Sequence, residues 1–469
     1  MLFNSLPFLL FFPIVVILYW VLPHKWRNPM LLVASYYFYM NWKPIYALLI
    51  LLSSLTTWGC ALMMERHQEK KKLWLTACLA LNLGILFVYK YLGFAATSLH
   101  DALDAIGIGI YVPDFTLLLP VGISFYTFQA VGYTIDVYRG DLQAERNVMT
   151  YLLFVSFFPQ LVAGPIERAK NLLPQFHTVH RFNGYNFIDG LKLMVWGYFM
   201  KLCIAESVAP YVNAVYNNID MHTGKSIWLA TLFFTFQIFC DFGGYSLIAI
   251  GTARCVGFNL MQNFRQPYLA HDIKDFWRRW HISLSSWFTD YVYIPLGGNR
   301  CSTAKHHRNL FLTFLVSGLW HGANWTFVWW GIYHGFLQVC LSLKRKFLPL
   351  KLHFGKIGTI VSMVVTFIAV MIGWVLFRAN SIADAKTALI KMAHPGGMLY
   401  NGEGKPAILL PLVLIVLLVI REIRNERQHK FRLTSHDNLY ISAISTALLV
   451  IVILMCAHFE SGQFIYFQF

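Results

Sequence analysis

Apolar runs long enough to cross a lipid bilayer recur along the whole chain, separated by short polar loops. Residues 2–22 form the first run, with no basic leader and no small-residue cleavage site, so they read as a retained span. Residues 30–64 hold two helices around the turn Asn41-Trp42-Lys43-Pro44, and residues 73–95 and 115–135 each cross once. Residues 187–211, 227–250, 357–377, 408–420 and 441–458 continue the series. Roughly 20 apolar residues span the hydrocarbon core as a helix. Lipid offers the backbone no hydrogen bonds, so helices and closed barrels are the spanning forms, and the strand-length alternation of a barrel is missing here. The pattern predicts an all-α polytopic membrane protein, with residues 1–469 as a single integral membrane domain.

Three stretches break this rhythm. Residues 151–165 are apolar but short, carry Pro159, Gly164 and Pro165, and have basic loops on both sides. They read as a re-entrant segment, which survives at membrane depth only where it is buried in protein or lines a cavity. Residues 251–310 hold eight Lys/Arg against three Asp and many aromatics, and predict interfacial or buried amphipathic helices on the inner side. Residues 311–343 are 33 positions without Lys, Arg, Asp or Glu, flanked by basic loops at both ends. They give about 50 Å of helix, less than two spans of roughly 30 Å each. The run is therefore expected to be two short helices broken near Gly322-Ala323-Asn324, with Gly331 and Gly335 as another break point.

Basic loops mark the cytoplasmic side. Residues 65–72 (ERHQEKKK) lie inside, residues 96–114 form an external loop with three Asp and no Lys or Arg, and residues 421–432 form a strongly basic inner loop. Both termini then lie outside. Residues 381–392 predict an external amphipathic helix with Ser381 as N-cap.

Composition sharpens the picture. The chain is 57% hydrophobic and 13% charged, whereas a soluble domain is roughly 25% charged. The formal charge of +16 resides in loops between apolar runs, so topology and anionic lipid account for it, and no nucleic-acid partner is expected. Eight cysteines show no CxxC pair and read as buried small hydrophobes.

The chemistry concentrates on histidine. His321 sits inside the uncharged run, where an ionisable group is costly and usually has a job, and a histidine exchanges a proton near neutral pH. Trp320, Asn324 and Trp325 are its neighbours, and Asn324 is placed to hydrogen-bond the imidazole; packing between helices is the bland alternative. His281, in Asp275-Phe276-Trp277-Arg278-Arg279-Trp280-His281, is either a second tunnel histidine or the cap of an interfacial helix. His334 reads as a core residue. Asp241 and Gln237 lie one turn apart, as part of a polar path or as interhelical glue. HExxH, GxSxG and GxxxxGK[ST] are missing, so no metal site and no ATP hydrolysis are expected. A basic inner face suits an anionic acyl thioester, whose phosphates favour Arg278 and Arg279.

Seven segments carry a resemblance. They are PVGISFYTFQ (120–129), FFPQLVAGPI (157–166), CDFGGYS (240–246), NFRQPYLAHDIKDFWRRWHISLSSWFTDYVYIPLGGNR (263–300), SGLWHGANW (317–325), WVLFRA (374–379) and FIYFQF (464–469). Together they resemble the membrane-bound O-acyltransferase family, in the bacterial branch that includes the alginate O-acetylation membrane subunit. Related sequences often read YSD where this chain has Tyr245-Ser246-Leu247, a difference that bears on acceptor choice.

The resemblance implies a ring of transmembrane and re-entrant helices around a central pore, with His321 as the catalytic histidine at its constriction and His281 as a second functional histidine. Trp320, Asn324, Arg278, Arg279, Asp275 and Gln160 are expected to bind donor or substrate. The implied donor is an acyl thioester, acetyl-CoA first and a carrier-protein thioester second, with no permanently bound cofactor. The implied acceptor is a hydroxyl on a periplasmic or extracellular partner protein or surface polysaccharide, with membrane lipid around a multi-pass protein of the bacterial inner membrane. D-Alanyl transfer to teichoic acid is the alternative within the class. A proton-coupled glycolipid transporter or flippase is the alternative outside it.

Overall fold

The computed structural model describes residues 1–109, 113, 115, 117–347, 355–402, 404–428 and 439–457, and every regular element among them is helical. The chain divides into two compact units, Met1–Leu191 with Ala249–Met261, and Lys192–Ile248 with Gln262–Phe469.

The first unit begins with α1 (Leu6–Val21), α2 (His24–Met40) and α3 (Ala47–Arg66), the last two divided at the predicted turn. Next come α4 (Lys71–Leu86), α5 (Leu92–Asp104) and α6 (Ile123–Arg139). Here the loops predicted from charge are displaced. The helix continues through a π-helical stretch, Phe87–Tyr91, to Asp104, and stops where Gly107 takes φ +80°. A lack of basic residues bears on which side of a membrane a segment takes and not on where a helix ends; the left-handed glycine ends it. Likewise α6 starts at Ile123, not residue 115, because Pro120 and the left-handed Gly122 (φ +75°) interrupt the apolar run. The expected re-entrant segment is α7 (Val148–Ser156) and α8 (Phe158–Leu161), broken at Phe157 and buried along nearly all its length. α9 (Ala169–Phe176) follows.

α10 (Gly184–Tyr198) leads from the first unit into the second, where a π-helical stretch, Phe199–Ala205, joins it to α11 (Glu206–Tyr216). α12 (Gly224–Cys255) precedes the short helices α13 (Ile273–Arg279) and α14 (Ile282–Phe288), in the region predicted to lack a span. α15 (Thr303–His321) and α16 (Trp325–Phe347) form a hairpin broken where the sequence predicts. α17 (Gly355–Arg378), α18 (Ile382–Ala393), α19 (Pro406–Gln428) and α20 (Leu439–Cys456) complete the unit. Ser381 caps α18, its hydroxyl accepting from Asp384 N at 3.0 Å. The expected basic loop at 421–432 is corrected for its first part, since α19 runs on to Gln428; residues 429–432 and the FIYFQF tail lie outside the described residues. Strong helix formers such as Arg, Glu and Gln carry a helix past the end of its apolar run.

Among the described residues, five helical stretches are long and apolar enough to cross a membrane, and α1 and α20 are shorter apolar helices. α12 stands apart from the two most apolar of them. The α12 window has mean hydropathy 1.4 and is 89% buried, whereas α17 and α19 reach 2.6 and 2.4 with 33% and 28% buried. A helix enclosed by protein can carry polar groups that neighbours satisfy, while one facing lipid must be apolar on that face. Thr231, Thr235, Asp241, Ser246 and Thr252 of α12 are all buried.

Candidate active site

The α15–α16 hairpin is built by glycine. A Cβ on Gly318 would meet Phe327 O at 2.3 Å, and one on Gly331 would meet Phe314 O at 2.5 Å, so the two backbones touch only because both positions lack side chains. The sequence offered Gly331 as a break point; it is a contact point inside α16. The break falls after His321, where Gly322 adopts an extended conformation (φ −165°). His321 is thereby held at the inner end of a hairpin and is 3% exposed. Its imidazole lies edge-on to three rings, Trp330 at 4.9 Å, Trp320 at 5.1 Å and Phe377 at 5.3 Å between centroids.

His281 arrives from a different element. It follows α13 and starts α14, where its carbonyl accepts from Ser285 N at 2.9 Å. Its ring makes no capping bond, so the cap reading holds for the backbone alone. The imidazole is fully buried against Phe242 at 4.6 Å and Trp320 at 6.0 Å. Trp320 thus touches both His281 and His321. His281 has φ +42° and ψ 55°, a left-handed conformation that costs a non-glycine residue about 1–3 kcal/mol and gathers at functional sites. No sequence signal marks this strain.

His334 is packed as the sequence suggests for a core residue. It is wholly buried between Trp330 at 4.8 Å and Trp277 at 5.1 Å, and neither ring nitrogen has a hydrogen-bond partner among the described residues. Trp280 and Trp374, with centroids 4.9 Å apart, complete an almost continuous aromatic wall. Composition shows the tryptophans; only the fold collects them around the histidines.

The remaining expected residues scatter. Asn324 caps α16, its side-chain oxygen accepting from Thr326 N at 2.9 Å. That engages the oxygen expected to hydrogen-bond the imidazole. Trp325 is half exposed. Arg279 is buried and pairs with Asp275 at 3.0 Å and Glu426 at 2.9 Å, so its charge is already balanced and Asp275 serves that pair. Arg278 is exposed. Gln160 belongs to the first unit, where it donates to Phe154 O at 2.7 Å. Asp241 meets a residue the sequence reading overlooked: Lys201, in the second π-helical stretch, lies 2.5 Å from both Asp241 and Glu206. All three are buried, which favours the interhelical tie over the path. Among the described residues, no three His, Cys, Asp or Glu side chains converge as a metal site.

The model of the membrane-bound O-acyltransferase family matches residues 145–379, which include both histidines and the hairpin. The chain is also 41% identical to the probable alginate O-acetylase of Azotobacter vinelandii over 389 residues, 81% of this chain and 76% of that one. It is 34% identical to the peptidoglycan O-acetyltransferase of Helicobacter pylori, over 85% of this chain and 81% of that one. The chain belongs to the membrane-bound O-acyltransferase family. It is a multi-pass membrane O-acyltransferase, and the transporter reading falls with that assignment. A teichoic acid D-alanyltransferase of Bacillus subtilis is more distant, 29% identical over 57% of this chain and 71% of that one.

Proposed function

We propose that this O-acyltransferase takes an acetyl group from a cytoplasmic thioester, acetyl-CoA or a carrier-protein thioester, and passes it to a hydroxyl on the outer side of the bacterial inner membrane. The acceptor is a surface polysaccharide or an extracytoplasmic partner protein. The observation that carries this reading is the meeting of His321 and His281, from separate elements, on the one indole of Trp320 inside an otherwise aromatic enclosure. Acetyl is favoured over D-alanyl because the two O-acetylating relatives share more identity over more of the chain than the D-alanyltransferase does.

In this mechanism His321 is the general base. Its neutral ring takes the acceptor hydroxyl proton as that oxygen attacks the thioester carbonyl carbon. The tetrahedral adduct collapses with cleavage of the C–S bond, and the imidazolium returns its proton to the departing thiolate. Acetyl thioester and alcohol become ester and thiol. General base catalysis contributes roughly 10²–10⁴-fold, and holding donor and acceptor against one ring adds an orientation advantage. His281 orients the reacting groups from across Trp320, and Arg278 meets the phosphates of the donor at the inner surface.

The test replaces His321 with Ala and follows labelled acetyl from acetyl-CoA into polymer in membranes. Transfer should fall by at least about 10²-fold while the protein still accumulates in the membrane. Transfer that survives the substitution would overturn the reading.

A further inference from the structure

His281 is held in a conformation its own chain does not favour, so something outside the residue must hold it. The structure offers a junction for this. Asn263 is buried, as are Ser246 and Ser283. Its backbone carbonyl accepts from Ile282 N at 2.8 Å, the amide directly after His281. Its side-chain oxygen accepts from the Ser283 hydroxyl at 2.6 Å, and its side-chain nitrogen donates to the Ser246 hydroxyl at 2.9 Å. Two residues further on, Arg265 N donates to Arg279 O at 2.9 Å. The chain on both sides of Trp280-His281 is therefore bonded to the segment 263–265.

The tie at Ser246 fixes position as well as shape. Ser246 and Phe242 lie one turn apart on α12 and so share a face. Phe242 is the ring packed against His281 at 4.6 Å. Asn263 joins that face of α12 to the first turn of α14, with the imidazole in between. It touches no reacting atom in the proposed mechanism.

We propose that Asn263 is a positioning residue that, through Ser283, Ser246 and the Ile282 amide, holds the His281 imidazole in its left-handed setting beside Trp320. This rests on the catalytic reading above only for the consequence for transfer; the positional claim stands without it. Removing the amide leaves the backbone bond but frees α14 from α12, and the peptide at His281 relaxes toward an ordinary conformation that carries the ring away.

Two measurements test this, on the full chain in native membranes or lipid nanodiscs. The first needs no activity: diethyl pyrocarbonate modification of individual histidines, read by mass spectrometry. In Asn263→Ala, modification of His281 should speed up by at least about tenfold, while His334, which is equally buried and bonded to none of these residues, stays at its wild-type rate. Equal acceleration at both histidines, or none at either, would overturn the proposal. The second is a double-mutant cycle on acetyl transfer. Asn263→Ala should lower transfer by about tenfold with His281 present and by less than about twofold in a His281→Gln background. An equal loss in both backgrounds would reduce Asn263 to a general structural role. Ser246→Ala and Ser283→Ala each remove one bond with little change of volume, and should each give a smaller effect in the same direction if the amide variant does not fold. Loss of transfer in His321→Ala with no coupling here would sink this proposal and leave the proposed function standing.

Discussion

The two units bury polar side chains to different effect. In the first, they tie helix to helix: Ser53 donates to Asn82 at 2.6 Å, Tyr151 to Thr57 at 2.8 Å, and Gln129 to Phe154 O at 2.7 Å. In the second, three histidines are buried among tryptophan and phenylalanine rings, and the charged groups nearby are gathered into ion pairs of their own. A polar group bonded to a neighbouring helix strengthens packing and is chemically occupied. An imidazole walled by rings sits in surroundings where any charge that develops during a reaction is felt strongly. The lesson is that burial of a polar residue does not announce function; the character of its walls does.

That contrast can be broken at several points. The largest effect is expected at Lys201, which neutralises two buried carboxylates. Lys201→Met leaves Glu206 and Asp241 facing each other and should destabilise the second unit by about 3–5 kcal/mol, seen as loss of folded protein in detergent. Adding Glu206→Gln and Asp241→Asn should recover most of that, since no buried charge then remains. If Lys201→Met alone is tolerated, the triad is not what balances charge there.

Tyr151→Phe probes the first unit. It removes one hydroxyl from the bond to Thr57 and should cost about 1 kcal/mol in thermal stability, with acetyl transfer unchanged. A large drop in transfer with intact stability would give this unit a chemical role the comparison denies it. A pH-dependent effect concerns Glu167, in the loop after the broken segment. Burial pushes its carboxyl from an ordinary 4.5 up to about 7, against opposing hydrogen bonds from Asn171 and Met261 N and the charge of Arg168. The raised value means the neutral form is preferred in the fold. Stability from this group is therefore full below pH 4.5 and is lost as pH rises to about 7. Glu167→Gln should flatten the fall in melting temperature between those two values. An unchanged slope would show that Glu167 is not its source.

Much of this was legible without coordinates. Apolar length gave the long helices, and the shortage of residues in 311–343 located the hairpin break beside His321. These are local properties: a helix needs a certain length to cross lipid, and a break needs residues that permit it. The misplaced boundaries at Asp104 and Gln428 arose because charge reports which side a segment lies on and not where its hydrogen bonding ends, and the one at Ile123 because Pro120 and the left-handed Gly122 interrupt an apolar run.

What the sequence determined by itself was an all-helical membrane protein with two costly histidines, His321 and His334, in an uncharged run, because hydropathy and charge act residue by residue. The tertiary structure alone decided that His281 shares an indole with His321, that Arg279 belongs to Glu426 and Asp275, and that Lys201 sits between two carboxylates. Those pairings join positions as far apart as Arg279 and Glu426, separated by 147 residues. Periodicity along a chain carries no record of which distant face a helix will meet; packing settles that, through glycine contacts, left-handed turns and the fit of ring against ring.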